Sequence, residues 1–163
     1  LADGVQLQLR GAFNWTDNDV VGGPRNPTQL EEGFGEQIFG RESQLNITEA
    51  FPSNTTKLSA TLTAGPVDLT LRGSRYGEVL APDDEPGPDE FLLGEEYVFG
   101  GEIGFRALND QVNLAIGARN IFDNYPDINP VINSSFDVIF PYDRASPIGF
   151  NGRFIYSRLT VTL

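Results

Sequence analysis

The chain has 163 residues, with 11 Lys+Arg against 23 Asp+Glu for a formal net charge of −12, and it contains no His, Cys or Met. Without imidazole or thiol, a Ser-His-Asp or Cys-His catalytic centre and a structural zinc site are excluded. Only carboxylates, Tyr, Lys57 or Arg remain for chemistry, so no enzyme is expected and no cofactor is implied, and the acidic balance argues against nucleic acid as a partner, since that binding rests on cations neutralising phosphates.

The chain opens at Leu1 with nothing before Val5 resembling a signal peptide, so a mature chain or a fragment is expected. No stretch reaches the ~18 consecutive apolar residues of a membrane helix. A β-barrel stays open, because its strands place apolar residues at every second position.

That period begins at once. Val5, Leu7, Leu9, Phe13 and Trp15 share one parity and Gln6, Gln8, Arg10 and Asn14 the other, which predicts a first strand with two different faces. The segment from Thr16 to Thr56 is polar; within it, Phe39, Leu45, Ile47 and Phe51 share a parity, so extra strand is expected between Gln37 and Phe51, with a short helix as the alternative. Leu58, Ala60, Leu62 and Ala64 alternate with Lys57, Ser59, Thr61 and Thr63. After Gly65-Pro66, Val67, Leu69 and Leu71 alternate with Asp68, Thr70 and Arg72, giving a hairpin of strands two and three.

The segment from Gly77 to Glu96 follows as a loop. It carries Glu78, Asp83, Asp84, Glu85, Asp89, Glu90, Glu95 and Glu96 without a cation, and Pro82, Pro86 and Pro88 oppose regular structure. It reads as a solvated, self-repelling loop, or as one that attracts cations; its spacing does not match an EF-hand. Tyr97, Phe99, Ile103 and Phe105 then oppose Glu102 and Arg106, and Val112, Leu114, Ile116 and Ala118 oppose Asn113 and Arg119, across a turn from Ala107 to Gln111. After a third polar segment, Asp123 to Gly152, Ile155, Leu159, Val161 and Leu163 oppose Tyr156, Arg158, Thr160 and Thr162 in a sixth strand. Gly33-Phe34-Gly35 lacks the third glycine of a dinucleotide site.

Because successive antiparallel strands reverse direction, all the long segments fall at one end of this sheet and both short turns at the other. The predicted strands run ~9 to 11 residues, which suits a tilted crossing of a bilayer better than the ~5 to 6 of globular sheets. Arg10, Lys57, Asp68, Arg72, Glu102, Arg106, Arg119 and Arg158 all take the polar parity, and the apolar parity carries no charge until a strand end, at Arg75. In a barrel that face meets lipid, where Arg or Lys costs roughly 2 to 4 kcal/mol at midplane. Phe13, Trp15, Tyr97, Phe122 and Tyr156, near strand ends, are expected to form an interfacial aromatic girdle. The fold expected is all-β: an antiparallel up-and-down transmembrane β-barrel fragment of about six strands.

Three motifs stand at the predicted strand ends. Arg75-Tyr76-Gly77-Glu78-Val79, then Asn120-Ile121-Phe122-Asp123-Asn124-Tyr125-Pro126, then the run from Ser146 to Leu159 with Gly149, Phe150, Gly152 and Arg153, resemble the consecutive landmarks that close the barrel of TonB-dependent outer-membrane receptors. The resemblance spans most of the chain, from Val5 to Leu163. It implies a bacterial outer-membrane protein with an N-terminal plug, a segment contacting the TonB energy-coupling complex and a barrel of about 22 strands. Residues 1–163 would then be the C-terminal part of that barrel, without plug or earlier strands. The implied function is energised uptake of a scarce extracellular small molecule such as a metal chelate, with ferric siderophores the chief ligands. Arg10, Arg72, Glu102, Arg106, Arg119 and Arg158 would face the lumen and the plug, and the other face outer-membrane lipid. Ile155, Leu159, Val161 and Leu163 would form the signal read by the barrel-assembly machinery, although the family usually ends in an aromatic where this chain has Leu163. Asn120, Asp123 and Asn124 read more simply as a strand cap than as ligand contacts. The competing reading of the whole chain is a soluble all-β binding module, such as one for carbohydrate, with the apolar parity buried between two sheets.

Overall fold

The computed structural model describes residues 4–23, 25–26, 28–29, 32–81, 91–128, 141–142 and 146–162. The element order is β1 (Val5–Trp15), α1 (Phe34–Ile38), α2 (Arg41–Thr48), β2 (Asn54–Ala64), β3 (Val67–Tyr76), β4 (Val79–Ala81), β5 (Phe91–Leu93), β6 (Glu96–Ala107), β7 (Val112–Arg119) and β8 (Phe154–Val161). Six of these strands form one antiparallel sheet in the order β1-β2-β3-β6-β7-β8, and β4 pairs with β5 in a separate hairpin. The six-stranded sheet is an open up-and-down meander, with β1 and β8 as its edges.

The alternating side chains keep one register across the whole sheet. Residues directly opposite each other share a face, and Val5 faces Ala64, Ala64 faces Val67, Val67 faces Phe105, Phe105 faces Leu114 and Leu114 faces Leu159. The next row joins Leu7, Leu62, Leu69, Ile103 and Ile116 in the same way. A slip of one residue in any strand would have put a polar set into these rows, so the apolar pattern and the pairing specify each other.

This apolar face is uncovered. Leu9, Leu58, Leu71, Ile103, Phe105, Ile116, Ile155 and Leu159 are all at least half exposed, and Leu9 is 70% exposed. The largest fully buried side chains among the described residues, Val79 and Leu93, lie in the small β4-β5 hairpin, where they pair directly. That hairpin follows the end of β3 and donates a hydrogen bond from the Leu80 amide to the Glu49 carbonyl, just after α2, at 3.1 Å.

Two segments expected to be irregular or extended therefore take other forms. The polar interval after Tyr76 contains β4 and β5, built on the apolar runs Val79-Leu80-Ala81 and Phe91-Leu92-Leu93; residues 82–90, which hold Pro82, Asp83, Asp84, Glu85, Pro86, Pro88, Asp89 and Glu90, lie outside the described residues. Between Gln37 and Phe51 the chain is helical, not extended. Arg41, Glu42, Gln44 and Leu45 are good helix formers, and Glu42 stands in the first turn of α2, where a carboxylate favours the helix dipole. Among the described residues no strand pairs with this segment.

The end-to-end asymmetry is retained. β2 and β3 are joined by Gly65-Pro66, with Gly65 at φ 56°, and β6 and β7 by a turn in which Leu108, Asn109 and Asp110 all have positive φ. The opposite end of the sheet carries the intervals 16–53, 77–95 and 120–153.

Candidate functional site

The polar face of the sheet falls into two halves. Near the short turns its charges are paired. Arg106 Nε lies 3.1 Å from Asp68 Oδ2, Thr63 donates to Asp68 Oδ1 at 2.6 Å, and Arg106 Nη2 donates to the Gly65 carbonyl at 2.9 Å, tying β6 to the β2-β3 turn. Glu102 accepts from the Tyr156 hydroxyl at 2.8 Å and from Arg158 Nη2 at 2.9 Å. Tyr156 reaches across β7 because Gly117 stands beneath it; a Cβ there would come within 2.5 Å of its ring and hydroxyl. Tyr156 therefore belongs to the polar face, which corrects its expected place in the aromatic girdle: its position opposite Gly117, in the Glu102 row, decides its side.

Towards the long intervals the polar face carries a row of cations, with the buried Glu96 at the start of β6 on the same face. Arg10 pairs in register with Ser59, Ser59 with Arg72 and Arg72 with Gly100. A Cβ on Gly100 would lie 3.7 Å from the Arg119 Cα, so Arg119 continues the same row. Lys57 stands two residues along β2 on the same face. Arg10, Lys57, Arg72 and Arg119 are exposed, and none has a carboxylate partner among the described residues. The six residues expected to face a lumen, Arg10, Arg72, Glu102, Arg106, Arg119 and Arg158, thus share one face and divide into a paired and an unpaired set.

The motif residues gather at the long-interval end. Arg75, on the apolar face, forms a two-point ion pair with Glu95 and donates to Asn54 Oδ1 at 2.5 Å, and Tyr97 donates to Glu95 at 2.7 Å. The Arg75 guanidinium, with a further hydrogen bond from Tyr97, holds the Glu95 carboxyl below its ordinary range. Tyr76 ends β3 opposite Thr55 and Glu96, and Gly77 is buried where a Cβ would meet the Asn54 amide at 2.9 Å. Phe13, Trp15, Tyr97, Phe99 and Phe122 surround this end, and Phe122 meets Phe99 edge to face at 5.5 Å.

Asn120 stops β7 at φ 50° and works as a clamp. Its side-chain amide donates to the Asn124 carbonyl at 2.7 Å and accepts from the Asn124 amide at 3.0 Å, while Asn124 Nδ2 donates to the Tyr97 carbonyl on β6 at 2.7 Å. Asp123, at φ 61°, accepts from the Arg153 amide at 2.7 Å, and Arg153 Nη1 donates to the Ile121 carbonyl at 3.2 Å. Gly152 has φ 56°, and any side chain there would collide with the Tyr125 hydroxyl. Gly149 also has positive φ, Pro126 is buried and Phe150 is exposed. These contacts fix where β8 begins, so Asn120 and Asp123 act structurally. Ile155, Leu159 and Val161 lie exposed on the apolar face, and Leu163 lies outside the described residues.

The sequence reading missed the Glu95 partner of Arg75 and the arginine row. No group of three or more His, Cys, Asp or Glu among the described residues could hold a metal ion. Compared with protein-family models, curated proteins and solved structures, the chain matches none.

Proposed function

We propose that the chain is the C-terminal part of the β-barrel of a TonB-dependent receptor in a bacterial outer membrane, whose task is energised uptake of a scarce extracellular ligand, with a ferric siderophore the first expectation. The observation that carries this reading is the continuous, uncovered apolar face of a six-stranded sheet whose polar face holds every strand charge but Arg75, at the end of β3. An exposed apolar surface of that extent calls for a partner, and lipid matches its strand lengths of 8 to 12 residues and its rim of aromatics. The open edges of β1 and β8 are the places where the remaining barrel strands would pair. The barrel-assembly machinery and, through an N-terminal region, the TonB complex are the partners this reading requires.

A soluble two-sheet module would need a second layer over Leu9, Leu71, Ile103 and Ile116, and these side chains are exposed. The test is fractionation of a producing bacterium. The protein should sediment with outer membranes, resist carbonate extraction and run at a heat-dependent position in electrophoresis; recovery as a detergent-free monomer would refute the reading.

A further inference from the structure

We infer that Asn151 is a site of spontaneous covalent modification, in which the Gly152 backbone nitrogen attacks the Asn151 side-chain amide, expels ammonia and loosens the clasp that starts β8. Asn151 is the only asparagine of the chain that precedes glycine. A bulkier following residue shields the attacking nitrogen, and Asn26 and Asn129 precede proline, which has no N–H. Asn120 and Asn124 hold their side chains in hydrogen bonds and are followed by Ile121 and Tyr125. Asn151 has neither restraint. It is exposed just ahead of β8, and neither its side chain nor the Gly152 amide has a hydrogen-bond partner among the described residues. Position 152 cannot take a bulkier residue either. It has φ 56°, and a Cβ there would collide with the Tyr125 hydroxyl and come within 2.9 Å of Asp123 Oδ1. The clasp thus demands the very residue that leaves Asn151 reactive.

The chemistry balances with water alone. Hydroxide removes the Gly152 amide proton, and the nitrogen bonds to Cγ of Asn151. The Cγ–Nδ2 bond breaks, and Nδ2 takes a proton from water and leaves as ammonia. Water then opens the cyclic imide. Opening at Cγ gives aspartate; opening at the Asn151 backbone carbonyl gives isoaspartate, whose main chain is longer by a carbon. Either product places a new negative charge two residues before Arg153, whose amide donates to Asp123 Oδ1 at 2.7 Å and whose Nη1 donates to the Ile121 carbonyl at 3.2 Å. Isoaspartate also puts slack into the main chain just ahead of Phe154, which begins the pairing with β7 opposite Arg119. None of this depends on what the apolar face meets.

The test is ageing of the folded, detergent-solubilised protein at mildly alkaline and mildly acidic pH, continued until a urea-denatured control is modified. Trypsin cuts after Arg144 and Arg153, and Asn151 carries the sole side-chain amide of residues 145–153. That peptide should gain the mass of deamidation, faster at alkaline pH because hydroxide draws the proton, and isoaspartyl methyltransferase should label it. Asn120 should stay unmodified over the same time. Asn151→Gln, whose longer side chain must close a larger and slower ring, should lose the modification. Aged protein, separated from unaged by ion exchange, should show a lowered urea midpoint in the same detergent, while Asn151→Gln should keep its midpoint through ageing. An unmodified 145–153 peptide from the folded protein, a rate indifferent to pH, or equal modification of Asn151→Gln overturns the site. Modification that leaves the midpoint unchanged overturns its effect on the clasp.

Discussion

Asn120 shows how one side chain fixes an element several residues away. It is nearly buried and makes two hydrogen bonds to Asn124 from a left-handed backbone position that Asn tolerates better than most residues. Asn120→Ala should destabilise the protein by roughly 1–3 kcal/mol through lost hydrogen bonds, with backbone strain added. Asn120→Gly should fall between, since it relieves the strain and not the loss. Urea midpoints in a fixed detergent check this order; equal midpoints for Ala and wild type would show that the clamp carries no stability. Glu95 gives a pH test. Its carboxyl is held low by the Arg75 and Tyr97 hydrogen bonds, so the stability it contributes is complete above the ordinary glutamate range and is lost only as pH falls through the lowered value. The difference in melting temperature between wild type and Glu95→Gln should therefore be constant near neutrality and vanish on strong acidification. A difference that survives acid would assign it to something other than the carboxylate.

Among the elements, the six long strands were legible because period two is unambiguous once both faces differ, as in Leu58 to Ala64 against Lys57 to Thr63. Their pairing was legible where a tight turn fixes it: Gly65-Pro66 places Ser59 opposite Arg72. It was not legible across the long interval 16–53, so the position of Arg10 in the arginine row needed coordinates. The β4-β5 hairpin escaped notice because three-residue strands carry too little alternation, and α2 stood only as the alternative to extra strand because a four-residue parity match does not separate helix from strand. The face assignment yields a prediction. Leu114→Arg and Ile116→Arg put a cation on the uncovered face and should strongly reduce the protein in outer-membrane fractions, whereas Asn113→Arg, on the charged face between Arg106 and Thr160, should assemble far better. Immunoblots of those fractions decide it, and equal abundance of all three would mean that the faces are misassigned.

For the whole molecule, an open sheet with two free edges and an uncovered apolar face cannot be stable alone in water. The protein without detergent or lipid should aggregate, and light scattering on removal of detergent measures this; a monodisperse monomer would contradict it. The central claim, that the apolar face meets lipid, has a native reporter, since the chain has a single tryptophan and Trp15 lies exposed on that face at the long-interval end of β1. The most direct measurement is quenching of its fluorescence in vesicles by lipids brominated at different depths. The account predicts quenching that is strongest for bromines near the headgroup level, together with protection from aqueous iodide. Quenching by iodide with no response to brominated lipid at any depth would contradict it.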